Sequence, residues 1–307
     1  MAHLAGNNPD DLALIVQMGP EYLQDGGIVR CRRAGCVTGD VGARSRAGSA
    51  GTSRVQSLSL HTGRSMAEVR RDLRTGGDGF ARYFEVLVLS WEAMTATQPG
   101  GRVVRSDGYV ASRAADPVLN NAVILRQDAI DAVRRFFDDS GGHAVWCHAD
   151  HAVIAAALES AGYRRDTTTR PMLLRLADLA DDALSDGSAT ARVLRGVEPS
   201  VVANLNGLRS DFLAGVPGLT AYASDDLQSG LVVIEVGRDV NISAVATRRE
   251  SRRRGLASAV TRQVLTDSRN RGLVTASLQA TPEAERIYAR LGFQPVGRWQ
   301  EWVPREC

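Results

Sequence analysis

Hydrophobic and polar positions along this chain repeat with two different periods, and the switches between them mark out the elements. Residues 80–94, FARYFEVLVLSWEAM, form a nearly continuous apolar run long enough for a core helix. GRVVRSDGYVASRA reads as two strands joined at Asp107-Gly108, a strong hairpin signal. NNAVIL predicts another strand and QDAIDAVRRFFDDSGG an amphipathic helix closing on glycines. HAVWCH predicts a strand, DHAVIAAALESAGY a helix with Gly162 at its end, and RPMLLRL a further strand.

An acidic stretch with Asp-Gly-Ser, ADLADDALSDGSAT, occupies 177–190 and reads as a linker. Beyond it EPSVVANLNGLRSDFLA predicts helices, and LTAYAS, GLVVIEVG and NISAVAT predict successive strands. LASAVTRQVLTDSRNR places Leu256, Val260 and Val264 on one helical stripe and stops at Gly272. VTASLQA is a strand. Thr281 and Pro282 are suited to N-cap and first residue of the helix PEAERIYARL, which Gly292 ends, and QPVGRWQEWV is a last strand. By contrast, residues 1–75 are weakly patterned, and the segment 39–57, rich in Gly, Ser and Arg, has little to bury, so poor order is expected there. The expected organisation is a weakly ordered segment 1–75, an α/β unit over 76–176, a linker 177–190 and a second α/β unit over 191–307. The ends of the two units share strand, polar turn, helix, glycine and aromatic, with Gly162-Tyr163 answering Gly292-Phe293, which suggests an internal duplication.

Composition changes this picture little. The 307 residues carry a formal charge of only +2, so a local basic cluster does not continue a general basicity, and a nucleic-acid partner is not expected. All 37 basic residues are arginine. The four cysteines, Cys31, Cys36, Cys147 and Cys307, lack the spacing of a disulfide framework or a paired metal site, which fits a reducing compartment. The first residues have no basic region ahead of their apolar run, and no later stretch approaches about 18 uninterrupted apolar residues. A cytoplasmic location with no membrane partner is therefore expected.

Chemistry enters at RRESRRRGLASAV, 248–260, where five arginines and one glutamate occupy seven positions before glycine and small apolar residues. A strand that ends in a Gly-bearing turn and opens directly into a helix aims several unpaired N–H groups at one point, beside the positive end of the helix dipole. Gly255 allows close approach of the main chain, Ala257 keeps the first turn small, and Arg252, Arg253 and Arg254 can bond phosphate oxygens. Taken alone, the arginines read first as a solvated run at a helix start, and the Gly-x-Ala with the helix behind it shifts that reading.

With this loop the sequence resembles the GCN5-related N-acetyltransferase (GNAT) superfamily, whose loop of Arg or Gln, two residues, Gly, one residue, Gly or Ala stands here as Arg252-Arg253-Arg254-Gly255-Leu256-Ala257. ERIYARLGF, 285–293, resembles the family's other segment, a helix with a tyrosine four residues before Gly-Phe. The resemblance covers about residues 190–303. It implies a mixed, mostly antiparallel sheet flanked by helices in each of two tandem domains, with acetyl-CoA as cosubstrate and no metal. It further implies that the loop holds the pyrophosphate, that Val245, Ala246 and Thr247 line the pantetheine arm, that Gln279 borders the thioester, and that Tyr288 protonates the departing thiolate. Such an enzyme is an N-acetyltransferase acting on a primary amine by direct attack; the acceptor is expected to be a small molecule, with a protein amine left open. Glu235 and Glu301 are the candidate bases, and a water chain is an alternative.

The first unit lacks these parts. Arg126-Gln127-Asp128 stands where the loop would be, with Asp128 near a helix N-terminus, where it would repel phosphate, and Leu158 answers Tyr288. It therefore reads as a degenerate GNAT-like domain. Cys147, His148, Asp150 and His151 are metal ligands by type, but strand alternation sends the first two to opposite faces, and Asp150 suits an N-cap. From a different class, the alternative function is a non-catalytic acyl-CoA-binding regulator, which the retained tyrosine disfavours.

Overall fold

The computed structural model describes residues 79–140, 142–180 and 191–305, with a separate hairpin of two-residue strands, β1 (Ser59–Leu60) and β2 (Arg64–Ser65). The expected weak order of residues 1–75 lies almost wholly outside the described residues, as does the part of the expected linker at 181–190.

The first half contains α1 (Gly79–Thr95), β3 (Arg102–Arg105), β4 (Tyr109–Arg113), β5 (Asn121–Ile124), α2 (Ile130–Phe137), β6 (Ala144–His148), α3 (Ala152–Ser160) and β7 (Tyr163–Arg175). The second contains β8 (Val193–Arg195), α4 (Pro199–Leu205), β9 (Leu219–Ser224), β10 (Ser229–Val236), β11 (Asp239–Thr247) and α5 (Leu256–Asn270). It closes with β12 (Thr275–Ala280), α6 (Glu285–Arg290), β13 (Gln294–Pro295) and β14 (Trp299–Pro304). The expected helices and strands recur at these places, except that β8 was not expected and α6 begins at Glu285 instead of Pro282, and three further elements differ. RPMLLRL is only the second part of a strand that starts at Tyr163. QPVGRWQEWV is broken into β13 and β14. Residues after α4 form turns instead of a second helix.

All twelve strands from β3 onward join one sheet, in the order β3-β4-β5-β6-β14-β7-β12-β11-β10-β9-β8, with β13 beside β7. Two adjacent pairs are parallel, β5 with β6 and β11 with β12, and the other pairings are antiparallel. The seam between the halves is an exchange of strands. β14, from the second half, lies between β6 and β7 of the first, with Trp299 opposite both His148 and Thr169. In return, the end of β7 crosses over and pairs with β12, from Ala280↔Arg170 to Thr275↔Arg175.

Strand alternation divides the core by face. Along β10, Val232 and Ile234 join a cluster with Val88 and Trp91 of α1, Val202 of α4, Val110 and Trp146 from the first-half strands, and Trp299 of β14. This cluster runs across both halves. Leu231 and Val233 turn to the other face and pack with Val260, Val264, Tyr288 and Phe293. On that same face the first half has its own cluster, in which Ala122, Val145 and Cys147 meet Val133, Phe137 and Leu158. The predicted stripe of α5 is thus buried, each large apolar side chain contributing about 1.5–3 kcal/mol against exposure.

Candidate active site

β11 and β12 pair only from Asp239↔Thr275 to Asn241↔Ser277, although β11 continues to Thr247 and β12 to Ala280. Beyond that point they part, and the β12-facing edge of β11 is left without a strand partner among the described residues. A bulge sits in the same stretch: two residues, Ala244 and Val245, stand between the partners of Gly230 and Val232, and Ala244 takes φ 51°. Such a bulge bends the strand away from its neighbour. Asn206, just past α4, secures it by donating from Nδ2 to the carbonyls of Ala244 at 3.0 Å and Val202 at 2.9 Å. Ser229 braces the end of β11 through Ala246 O at 3.1 Å and Thr247 Oγ1 at 2.8 Å.

The arginine loop closes the open end of this gap. After β11 a short turn at Arg249–Ser251 leads to Gly255, which begins α5 in the left-handed region at φ 76° and ψ 4°, and Arg253 also takes a left-handed φ of 60°. A residue with a Cβ resists that conformation, which accounts for the glycine. No side chain caps α5 among the described residues, so its first amides remain available to an anion, the arrangement expected from the sequence. Leu256 is buried and anchors the turn, whereas Ala257 is half-buried and Arg253 and Arg254 are exposed. Arg252 donates from Nε to Thr247 O at 3.3 Å, and Arg254 donates to Ser251 Oγ at 3.2 Å and faces Asp226 at 3.7 Å.

Val245 and Ala246 are buried on β11 and Thr247 is half-buried at its end. Gln279 lies two residues past the last β11–β12 pair and is also buried. Its Oε1 accepts from Tyr83 Oη at 3.0 Å, and its Nε2 donates to Thr169 Oγ1 at 2.7 Å. Tyr288 is buried on α6 in contact with Phe293, and burial pushes its phenol well above the usual tyrosine range, so it stays protonated. The Thr281 side chain does not cap this helix: Ala284 is the N-cap, and Thr281 contributes its backbone carbonyl to the amides of Ala284 and Glu285. Its hydroxyl is buried without a hydrogen-bond partner among the described residues.

Of the two candidate bases, Glu235 is not brought to this place. Glu235 lies near the opposite end of β10, facing Val240 where β11 and β12 are still paired, and forms a two-pronged ion pair with Arg271. Glu301 is fully buried on β14, directly opposite Trp146 of β6. The side chain that sequence reasoning missed is Tyr83. Its only sequence signal is a hydroxyl within an otherwise apolar run.

The first half repeats the parallel pair, with β5 and β6 in register from Asn121↔Ala144 to Val123↔Trp146. The connection from β5 to α2 differs from its counterpart. Arg126 and Asp128 pair with each other ahead of α2, in place of a glycine turn, and Leu158 is fully buried at the position answering Tyr288. Trp91, Trp146 and Trp299 line a narrow recess together with Leu87, Val123 and Gln279. Cys147 points into the far-face cluster, where burial pushes its thiol up to about 11, while His148 faces Phe80 and Trp299. Asp150 faces His148 at 3.5 Å, and His151 takes the N-cap position of α3 instead. Among the described residues no group of three or more His, Cys, Asp or Glu could hold a metal ion, and no helix is long and apolar enough to cross a membrane.

A mixed, mostly antiparallel sheet flanked by helices is the fold that this chain shares with the solved structures described below. Residues 206–302 match the model of the acetyltransferase (GNAT) domain, so the chain carries such a domain and is an acyltransferase. No curated protein sequence is significantly similar to the chain. Among solved structures, a GCN5-related N-acetyltransferase from Kribbella flavida is similar at a TM-score of 0.56 and 16% identity, covering 72% of this chain and 95% of that one. A GCN5-related N-acetyltransferase-like protein from Streptococcus suis 89/1591 is similar at a TM-score of 0.52 and 17% identity, over 78% of this chain and 100% of that one. At such identities the likeness is one of fold. Its extent exceeds residues 191–305, so it takes in strands of the first half.

Proposed function

We propose that the chain is an acetyl-CoA-dependent N-acetyltransferase that acts on a primary amine of a small molecule. The observation that carries this reading is the parting of β11 and β12 in front of the uncapped N-terminus of α5. The amides after Gly255, with Arg252, Arg253 and Arg254, suit a pyrophosphate, and the free edge at Val245, Ala246 and Thr247 suits an amide-bearing arm. Acetyl-CoA supplies an activated acetyl thioester. The chain's part is to hold that thioester against a neutral amine, so that the C–N bond forms as the C–S bond breaks without a covalent enzyme intermediate. Tyr288 keeps its proton at neutral pH and is assigned as the donor to the departing thiolate, where a hydrogen bond stabilises charge that appears only as the bond breaks. Glu235, held by Arg271 at the far end of β10, is given no part, and a water chain is assigned as the base. The first half is read as a degenerate GNAT-like domain that walls the acceptor side.

Incubating the purified chain with acetyl-CoA and a panel of primary amines, while monitoring release of free thiol, tests this reading. Amine-dependent release is expected. Coenzyme A binding with no turnover on any amine, small or protein-borne, would instead favour a non-catalytic acyl-CoA-binding regulator.

A further inference from the structure

The side chain of Gln279 belongs to a buried hydrogen-bond chain that crosses between the halves, and the chain has a direction. Trp299 Nε1 lies 3.3 Å from Tyr83 Oη. An indole N–H can only donate, so the tyrosine oxygen is an acceptor there and its own proton is free to go elsewhere. The remaining neighbour is Gln279 Oε1 at 3.0 Å, which takes that proton. The carboxamide is thereby fixed with its nitrogen toward Thr169 Oγ1, at 2.7 Å. Reversing the amide would leave the Tyr83 proton without an acceptor in a place where Tyr83, Gln279 and Thr169 are all buried. One N–H of the amide is used by Thr169. The second has no partner among the described residues, and Gln279 sits just beyond the point where β11 and β12 part.

From this we infer that Tyr83, on the first-half helix α1, is a positioning residue for the second-half site. It holds Gln279 so that the second N–H serves as the donor to the acyl oxygen of a bound thioester. The inference rests on the acetyl-transfer reading above, and it gives α1 a role in acyl recognition. Burial pushes the Tyr83 phenol well above the usual tyrosine range, so the hydroxyl is a permanent donor in this arrangement and not a proton shuttle.

Coenzyme A lacks the whole acetyl group, so the change that a substitution makes in the ratio of its dissociation constant to that of acetyl-CoA reads the acyl contact without any turnover. Calorimetry on the full chain should show acetyl-CoA favoured by roughly fivefold, the worth of one hydrogen bond. Tyr83→Phe should bring the ratio close to one while coenzyme A itself binds as before, and kcat should fall by about tenfold. Gln279→Leu should also abolish the preference, and adding Tyr83→Phe to it should change nothing further, since both act through one amide. Thr169→Val enters the chain from its other end and should also lower the ratio, which keeps the test open if Tyr83→Phe does not fold. If Gln279→Leu loses the preference while Tyr83→Phe and Thr169→Val keep it, the positioning role is overturned and the acetyl-transfer reading stands. If Gln279→Leu keeps it, the amide does not meet the acyl group. If neither ligand binds the unaltered chain, the acetyl-transfer reading falls with it.

Discussion

Replacing Tyr288 with phenylalanine removes one hydroxyl from an enclosed ring and changes little volume, so the ring should still pack against Phe293 and acetyl-CoA should still bind. The loss is of a donor used mainly in the transition state. We expect kcat to fall by on the order of 10² to 10⁴ with much less change in KM for acetyl-CoA, by steady-state kinetics with the best amine found. An unchanged kcat, with chemistry rate-limiting, would leave Tyr288 as a core aromatic only. A second residue-scale expectation concerns His143, which stacks on Phe137 at 4.3 Å and meets Tyr163 Oη at 2.8 Å. Burial pushes its pKa down to about 4, so the folded imidazole stays neutral where the unfolded one, near 6.5, takes up a proton. Between those values the unfolded state binds more protons, so stability rises with pH and is lost as pH falls through that window, by about 2 to 3 kcal/mol. Urea unfolding at pH 7 and pH 4.5 should show this loss, and His143→Gln should flatten it.

Among the elements, α5 and the turn before it concentrate the binding function. Gly255→Glu would put a side chain and a negative charge on a left-handed residue at the mouth of the helix, so coenzyme A binding should be abolished while the sheet stays folded. Calorimetry showing unchanged affinity, with an unchanged circular dichroism spectrum, would remove the anion from this loop. This element was legible in the sequence because its physics is local: a Gly-bearing turn between a period-two segment and a period-3.6 segment says where amides must go unpaired. Thr281 was misread for a related reason. Ser, Thr and Asp are preferred at helix starts, but here the turn after β12 is closed through the backbone carbonyl of Thr281, and α6 begins only at Glu285. Tyr83 was not legible at all, since nothing local says that the hydroxyl of an apolar helix will meet Gln279 almost two hundred residues later.

At the scale of the whole molecule, the sequence announced β14 as a strand but not its partners, because period and propensity fix which face is buried and not which edge is joined. The exchange at the seam emerges from pairing alone. One cluster of buried side chains spans both halves on the α1 face, so unfolding monitored by tryptophan fluorescence and by circular dichroism should give one coincident transition. Two separated transitions would show halves that hold together independently. With a glycine turn after β11 and none after β5, coenzyme A should bind at one per chain. A measured two per chain would mean that the first half also accepts it.

The exchanged strand also sets an order of events during synthesis. β6 and β7 are made early, yet the strand that lies between them, β14, is added about 130 residues after the end of β7, which at ribosomal rates of roughly 5–20 residues per second is a wait on the order of 10 s. Through that interval the facing edges of β6 and β7 are open to any extended segment, a neighbouring nascent chain included. The yield of active protein should therefore depend on chaperone supply and on translation speed across residues 176–298, more than the stability of the finished molecule would suggest.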